Sequence, residues 1–214
     1  MKKIILVERE TGYENSVFIN CPFDTRYKPL FNAEIFAIHD CGFTARCALE
    51  VSNSAKNRLQ KIIDIISQCK YGLHDISRTG ISSKTGLPRF NMPLELGIFL
   101  GCSHFGTEEH KAKACLIMDQ DEFRYRKFIS DISGQDIVAH NNSSEKAIQE
   151  IRGWLRTESK RTNIPGGAEI YKRYTQFQKQ LPEIRKRLRI KPTEFTFVDF
   201  TFIVSDWLKE NPLK

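Results

Sequence analysis

Residues 16–43 read SVFINCPFDTRYKPLFNAEIFAIHDCGF, and this stretch decides the fold. Ser16–Asn20 is a short apolar run closed by Pro22, the pattern of a buried strand. Tyr27, Phe31, Ile35 and Ile38 then recur at spacings of four, four and three, which marks one face of a helix. Asp40-Cys41-Gly42 stops that helix, because glycine supplies the left-handed residue that a helix end often needs. A second strand is expected over 43–51 and a second helix over 54–69. Ala55, Leu59, Ile62, Ile63 and Ile66 form that helix's apolar face, with Ser54 as its N-cap.

The alternation continues to about residue 140. A third strand is expected at Tyr71–Ile76, a polar loop over 77–90, and a helix opened by Asn91-Met92-Pro93, with Asn91 or Met92 as the cap. A fourth strand follows at Ala114–Met118 and a fifth at Asp136–Ala139. Short strands alternating with helices imply a parallel sheet with helices on both faces, an α/β fold of flavodoxin-like type. Beyond it only helical patterns remain. Ile148, Ile151 and Leu155 line one helix. A longer pattern runs from Ile170 to Leu188, and Pro182 is expected to split it. The last helix starts at Thr196, where Thr196 and Asp199 form a capping box and Phe195 and Phe200 a hydrophobic staple. The reading divides the chain into an α/β nucleotide-binding and catalytic domain over 1–142 and a basic, all-helical extension over 143–214.

Composition narrows the possibilities. Of the 214 residues, 40% are apolar and 15 are Phe, so the chain can bury a core and is not disordered throughout. No apolar run approaches the roughly 20 residues that span a bilayer. The start, MKKIILV, turns charged too soon for a signal peptide, which gives the expectation of a cytoplasmic protein without membrane contact. The formal charge of +7 is unevenly spread: 18 basic and 17 acidic residues fall in 1–144, leaving 15 and 9 for the rest. The basic run Arg185–Arg189 has no interleaved aromatic platform, so it reads as a solvated helix face and not a nucleic-acid site. The extension is expected to meet a protein partner, a second copy of the chain included. The six cysteines are scattered among apolar neighbours and contain no paired metal-ligand spacing, so no metal is expected.

In an open parallel sheet, ligands bind beyond the carboxyl ends of the strands. The unusual polar residues fall there: Asn20-Cys21-Pro22-Phe23 after strand one, Arg46 on strand two, His74 and Asp75 on strand three, and Asn91, Met92 and Glu95 at the following helix. No glycine-rich dinucleotide or P-loop motif follows the first strand. Glu95 is the odd member among Leu94, Leu96, Ile98, Phe99 and Leu100. Its expected place in the first helical turn favours an ionised carboxylate. Such a group would stabilise an oxocarbenium-like C1′ as a base departs. Arg46 is a candidate to hold a phosphate bidentately. His74 alternates with Asp75 and faces the other way, as a packing or hydrogen-bonded histidine.

The set FINCPF, HDIS and NMPLELGIFLG, in that order, resembles the superfamily that joins nucleoside 2-deoxyribosyltransferases, related nucleotide N-glycosidases and TIR-like domains. The resemblance covers about residues 15–120. It implies that Glu95 acts at C1′ and that Asp75 contacts the base or ribose. It further implies that Asn20, Cys21, Pro22 and Phe23 line the sugar pocket and that Asn91 and Met92 lie against the substrate. Asn91-Met92-Pro93 stands where the transferases carry a pair of small residues, which leaves hydrolysis more open than transfer. The expected activity is therefore N-glycosidic cleavage of a nucleotide. NAD ranks first as substrate and a nucleoside monophosphate next, with no separate cofactor and a role in bacterial defence. The rival is a nucleotide-binding sensor without turnover.

Overall fold

The first strand, β1 (Ser16–Asn20), is buried along its whole length and takes an inner position in a five-stranded sheet. The computed structural model describes residues 12–81 and 86–213. The apolar start of the chain and residues 82–85 of the polar loop lie outside them. The other strands are β2 (Thr44–Arg46), β3 (Tyr71–Asp75), β4 (Ala114–Asp119) and β5 (Ile137–Ala139). Their order is β2-β1-β3-β4-β5 and every pairing is parallel, so the flavodoxin-like expectation holds. The chain reverses direction across the sheet between β1 and β3, and their ends, Asn20 and His74, are register partners.

Successive side chains on a strand point to opposite faces. Val17 and Ile19 of β1, with Tyr71 and Leu73 of β3, join the larger core beneath α1 (Lys28–Asp40). Phe18 faces the other way, into a core with α2 (Arg58–Ser67) and Phe99 of α3 (Asn91–Phe105). Gly72 lies where β3 meets α3. A Cβ there would stand 2.6 Å from Phe99 Cε2 and 2.7 Å from His74 Nε2, which explains a side-chain-free position in a buried strand.

Three helices follow β5: α4 (Ser144–Ser159), α5 (Gly167–Arg187) and α6 (Phe197–Glu210). α4 packs along α1, and α5 and α6 close over the pair. Phe36 of α1 meets Tyr174, Phe177 and Trp207 at ring-centroid distances of 5.5, 5.3 and 5.8 Å. Arg173 of α5 forks onto Asp40 at the end of α1, with Nε 2.9 Å from Oδ2. Residues on both sides of position 142 thus share one continuous core.

Several boundaries differ from the sequence reading. β2 is only three residues long, and α2 starts at Arg58 with Asn57, not Ser54, as its cap, accepting from the Gln60 backbone N–H. The N-cap of α3 is Phe90, without a side-chain cap bond, in place of Asn91 or Met92. Pro182 lies inside α5 and does not divide it. Phe177 and Leu181 anchor that helix in the core, and the proline itself is exposed. The capping box and staple of α6 are present, with Phe195 and Phe200 6.0 Å apart.

Two glycines make opposite predictions. Gly72→Ala is expected to lower unfolding free energy by about 2 kcal/mol, the cost of overpacking a core. Gly153→Ala, in mid-α4 with open space around it, is expected to raise it by about 0.5–1 kcal/mol. Urea unfolding of the two variants beside the parent measures both.

Candidate active site

The end of β1 is tied to the start of α3. Asn20, buried, donates from Nδ2 to the Met92 carbonyl at 2.8 Å and lies 3.0 Å from His74 Nδ1. With Nδ2 as donor, His74 Nδ1 carries no proton. Burial, with Lys113 nearby, holds the His74 pKa down to about 3, so the ring is neutral. His74 thus packs and accepts a hydrogen bond, between the rings of Phe18 and Phe99.

Met92 precedes Glu95 by three residues on the same helix. Glu95 is 6% exposed, and among the described residues its carboxyl has no hydrogen-bond or ion-pair partner. Burial raises its pKa to about 7, while the charge of Arg58 opposes the shift. This corrects the expectation of a carboxylate held ionised by the helix start. Glu95 is the fifth residue of α3, beyond the first turn, and desolvation outweighs the dipole. Arg58 is exposed at the first position of α2 and, among the described residues, pairs with no acid at ion-pair distance.

Asp75 belongs to the opposite face. It is fully buried and accepts from the Ser77 backbone N–H at 2.8 Å, the Ser77 hydroxyl and the Tyr27 hydroxyl at 2.6 Å. His140, just past β5, sets Nε2 2.9 Å from Asp75 Oδ2, off the line of a hydrogen bond. The Asn142 backbone N–H donates to His140 Nδ1, which leaves the ring proton on the nitrogen facing Asp75. Tyr27 also contacts Glu34, a wholly buried acid on α1. A phenol has one proton and here faces two carboxyls, so one of the acids must itself donate. Burial, reinforced by the charge of Asp75, pushes the Glu34 pKa well up, and Glu34 holds that proton. Asp75 therefore has no open edge for a substrate, and its chemistry is to fix Tyr27, Ser77 and His140.

Cys21 stands between the two groups. Burial raises its pKa, and Glu34, Asp75 and Glu95 all add to the rise, so the acids of both faces act on this thiol. It is a protonated core group. The other residues singled out are more dispersed. Pro22 is buried, Phe23 is 37% exposed against Phe31, and Asn91 is exposed at the helix start. Arg46 gives its guanidinium to Glu50, with Nε 2.9 and 2.8 Å from the two oxygens, and reaches Gln68 at 3.2 Å. Its fork is thus already occupied by a carboxylate.

Tyr27, read only as part of a helix face, and Glu34, His140 and Arg58 did not emerge from the sequence as site residues. Glu34 carried a readable signal, an acid on the apolar stripe between Phe31 and Ile38. His140 follows a strand end, where polar residues gather in such sheets. Among the described residues no cluster of three or more His, Cys, Asp or Glu is placed to hold a metal ion, and no helix is long and apolar enough to cross a membrane.

Fold and site together define a flavodoxin-like α/β protein with an uncompensated carboxyl at the carboxyl edge of its sheet. No protein-family model matches the chain, and no curated protein matches it.

The Glu95 environment gives a signed prediction. Its folded pKa lies above the ordinary value of 4.5, so the folded state holds the proton more tightly. Ionisation then costs the folded state free energy, a cost that grows from pH 4.5 to about 7 and is constant above. Glu95→Gln should match the parent near pH 4 and exceed it by about 3 kcal/mol at pH 8. Urea unfolding at the two pH values reads the difference.

Proposed function

We propose that the protein is an N-glycosidase that cleaves the bond between base and ribose of a nucleotide, with NAD the first-ranked substrate. The observation that carries this reading is Glu95, a buried carboxyl with no partner among the described residues, beside the strand ends where ligands bind in such sheets. A carboxyl buried in this way costs stability unless something else uses it, and perturbed groups of this kind gather at functional sites. The resemblance of Glu95-Leu96-Gly97 to the glycosidase motif supports the same role.

In this reaction the ionised Glu95 faces C1′ as the C–N bond lengthens and its electron pair leaves with the base. Positive charge develops on the ribose, and a fixed negative charge in a low-dielectric site lowers the energy of that state. Water then adds to C1′ and its proton passes to solvent. A nicotinamide leaving from NAD departs neutral and needs no acid. Asn20 acts as a positioning residue through Met92. Asp75 does so through Tyr27 and His140, a change from the direct contact that the resemblance implied. Arg58, exposed and with a charge that acts on Glu95, takes the phosphate role first considered for Arg46. Work in the cytoplasm on a free nucleotide remains part of the proposal. So does self-association through α5 and α6, whose exposed Val198 and Phe202 lie one turn apart.

Chromatography of released base tests the reading. Purified protein incubated with NAD and a nucleotide panel should release base, and Glu95→Gln should lower the rate at least about a hundredfold. For the parent, kcat/KM should rise with pH through a midpoint near 7, because only the ionised form acts. Nucleotide binding with no release by the parent would leave a sensor and end the enzyme reading.

A further inference from the structure

A cavity of about 290 Å³ opens on the α1 side of the β1–α1 loop, away from Glu95. Its walls come from Phe23, Phe31, Leu49 and the start of α6, where Phe197 and Phe200 close it. Phe23 meets Phe31 edge-on at 5.3 Å, and Phe31 lies nearly parallel to Phe197, 6.0 Å away with 18° between the planes. The space is close to the lower bound of about 300 Å³ for small-molecule sites, which suits one nucleoside and not a whole dinucleotide.

Two polar side chains in this lining are uncommitted. Asn32, half-buried, and Lys28, exposed one turn before it on α1, have no hydrogen-bond or ion-pair partner among the described residues. Asp24, on the same rim, is engaged by the backbone N–H groups of Arg26 and Tyr27 and by Arg89 at 3.3 Å.

We propose that this cavity seats the adenine nucleotide half of the substrate. The proposal rests on the reading of Glu95 as the group that cleaves the other half. Flat aromatic walls accept any base by stacking, and the selective element is Asn32, whose amide matches the donor and acceptor at adenine N6 and N7. Lys28 supplies the positive charge for the phosphate. Asp24, held by Arg26, Tyr27 and Arg89, shapes the rim. Pro22 and Phe23 line the cavity, while Asn20, two residues before Pro22, is bonded to the Met92 carbonyl, three residues before Glu95 on α3. The cavity thereby favours a dinucleotide over a nucleoside monophosphate as substrate.

The test is calorimetric titration of the full chain with AMP, GMP and CMP, together with base release from NAD and from nicotinamide mononucleotide. AMP should bind at least ten times more tightly than GMP or CMP. Asn32→Leu and Lys28→Met should each weaken AMP at least tenfold, with thermal melts confirming that both variants fold. AMP should also raise the apparent KM for NAD and leave kcat unaltered. No binding of AMP, equal binding of the three nucleotides, unchanged affinity in both variants, or binding without competition would overturn the site. Nicotinamide mononucleotide has no adenine, so its cleavage by the parent judges the Glu95 reading separately. If AMP binds selectively and neither substrate is cleaved, the adenine site stands and the glycosidase reading falls.

Discussion

The hydrogen bond from Asn20 to the Met92 carbonyl fixes the end of β1 to the start of α3. Everything proposed for the site depends on that tie. α3 has no side-chain N-cap, so its first turn is held from outside by a buried amide on the neighbouring strand. His74 keeps that amide oriented, and it can do so only as a neutral ring, which its burial ensures. Glu95, one turn further along, is carried to the edge of the sheet by backbone packing and not by any bond of its own carboxyl. Its position is therefore set while its charge is left uncompensated.

The two faces of the sheet divide the work. Asn20, His74 and Met92 lie on the α3 side, whereas Asp75, Tyr27 and Glu34 lie on the α1 side. In the α1 group Asp75 is buried and accepts from Tyr27 and Ser77, so its carboxylate fixes neighbours in place and stays out of the solvent. Desolvation acts on Glu34 and Glu95 alike, yet the outcome differs. Glu34 finds Tyr27 and becomes part of a closed network, while Glu95 finds no partner among the described residues and stays available.

The strands and the helix faces were legible because periodicity reports burial directly. Val17, Ile19, Phe31, Ile35 and Ile38 are all core residues. Glu95 and Asp75 were legible as polar residues at strand and helix ends. Their surroundings were not. The pairing of Arg46 with Glu50 depends on how a loop turns back after a three-residue strand, which no spacing encodes. The protonated Glu34 depends on Tyr27 lying between two acids, one of them 48 residues away from it in sequence. The helical tail was legible as helices, but its place over α1 was not, because amphipathic patterns do not name the surface they cover. Pro182 misled for a related reason: the tertiary anchoring of Phe177 and Leu181 just before it overrides its local penalty.

The central claim is that Glu95 is a carboxyl held in place without a charge partner. Its titration, followed by carbon-13 NMR of the glutamate side chains with Glu95→Gln to assign the resonance, tests that claim most directly. The account predicts a midpoint near 7 in the free protein. A midpoint at the ordinary value of about 4.5 would show the carboxyl to be solvated or paired, and would contradict the account.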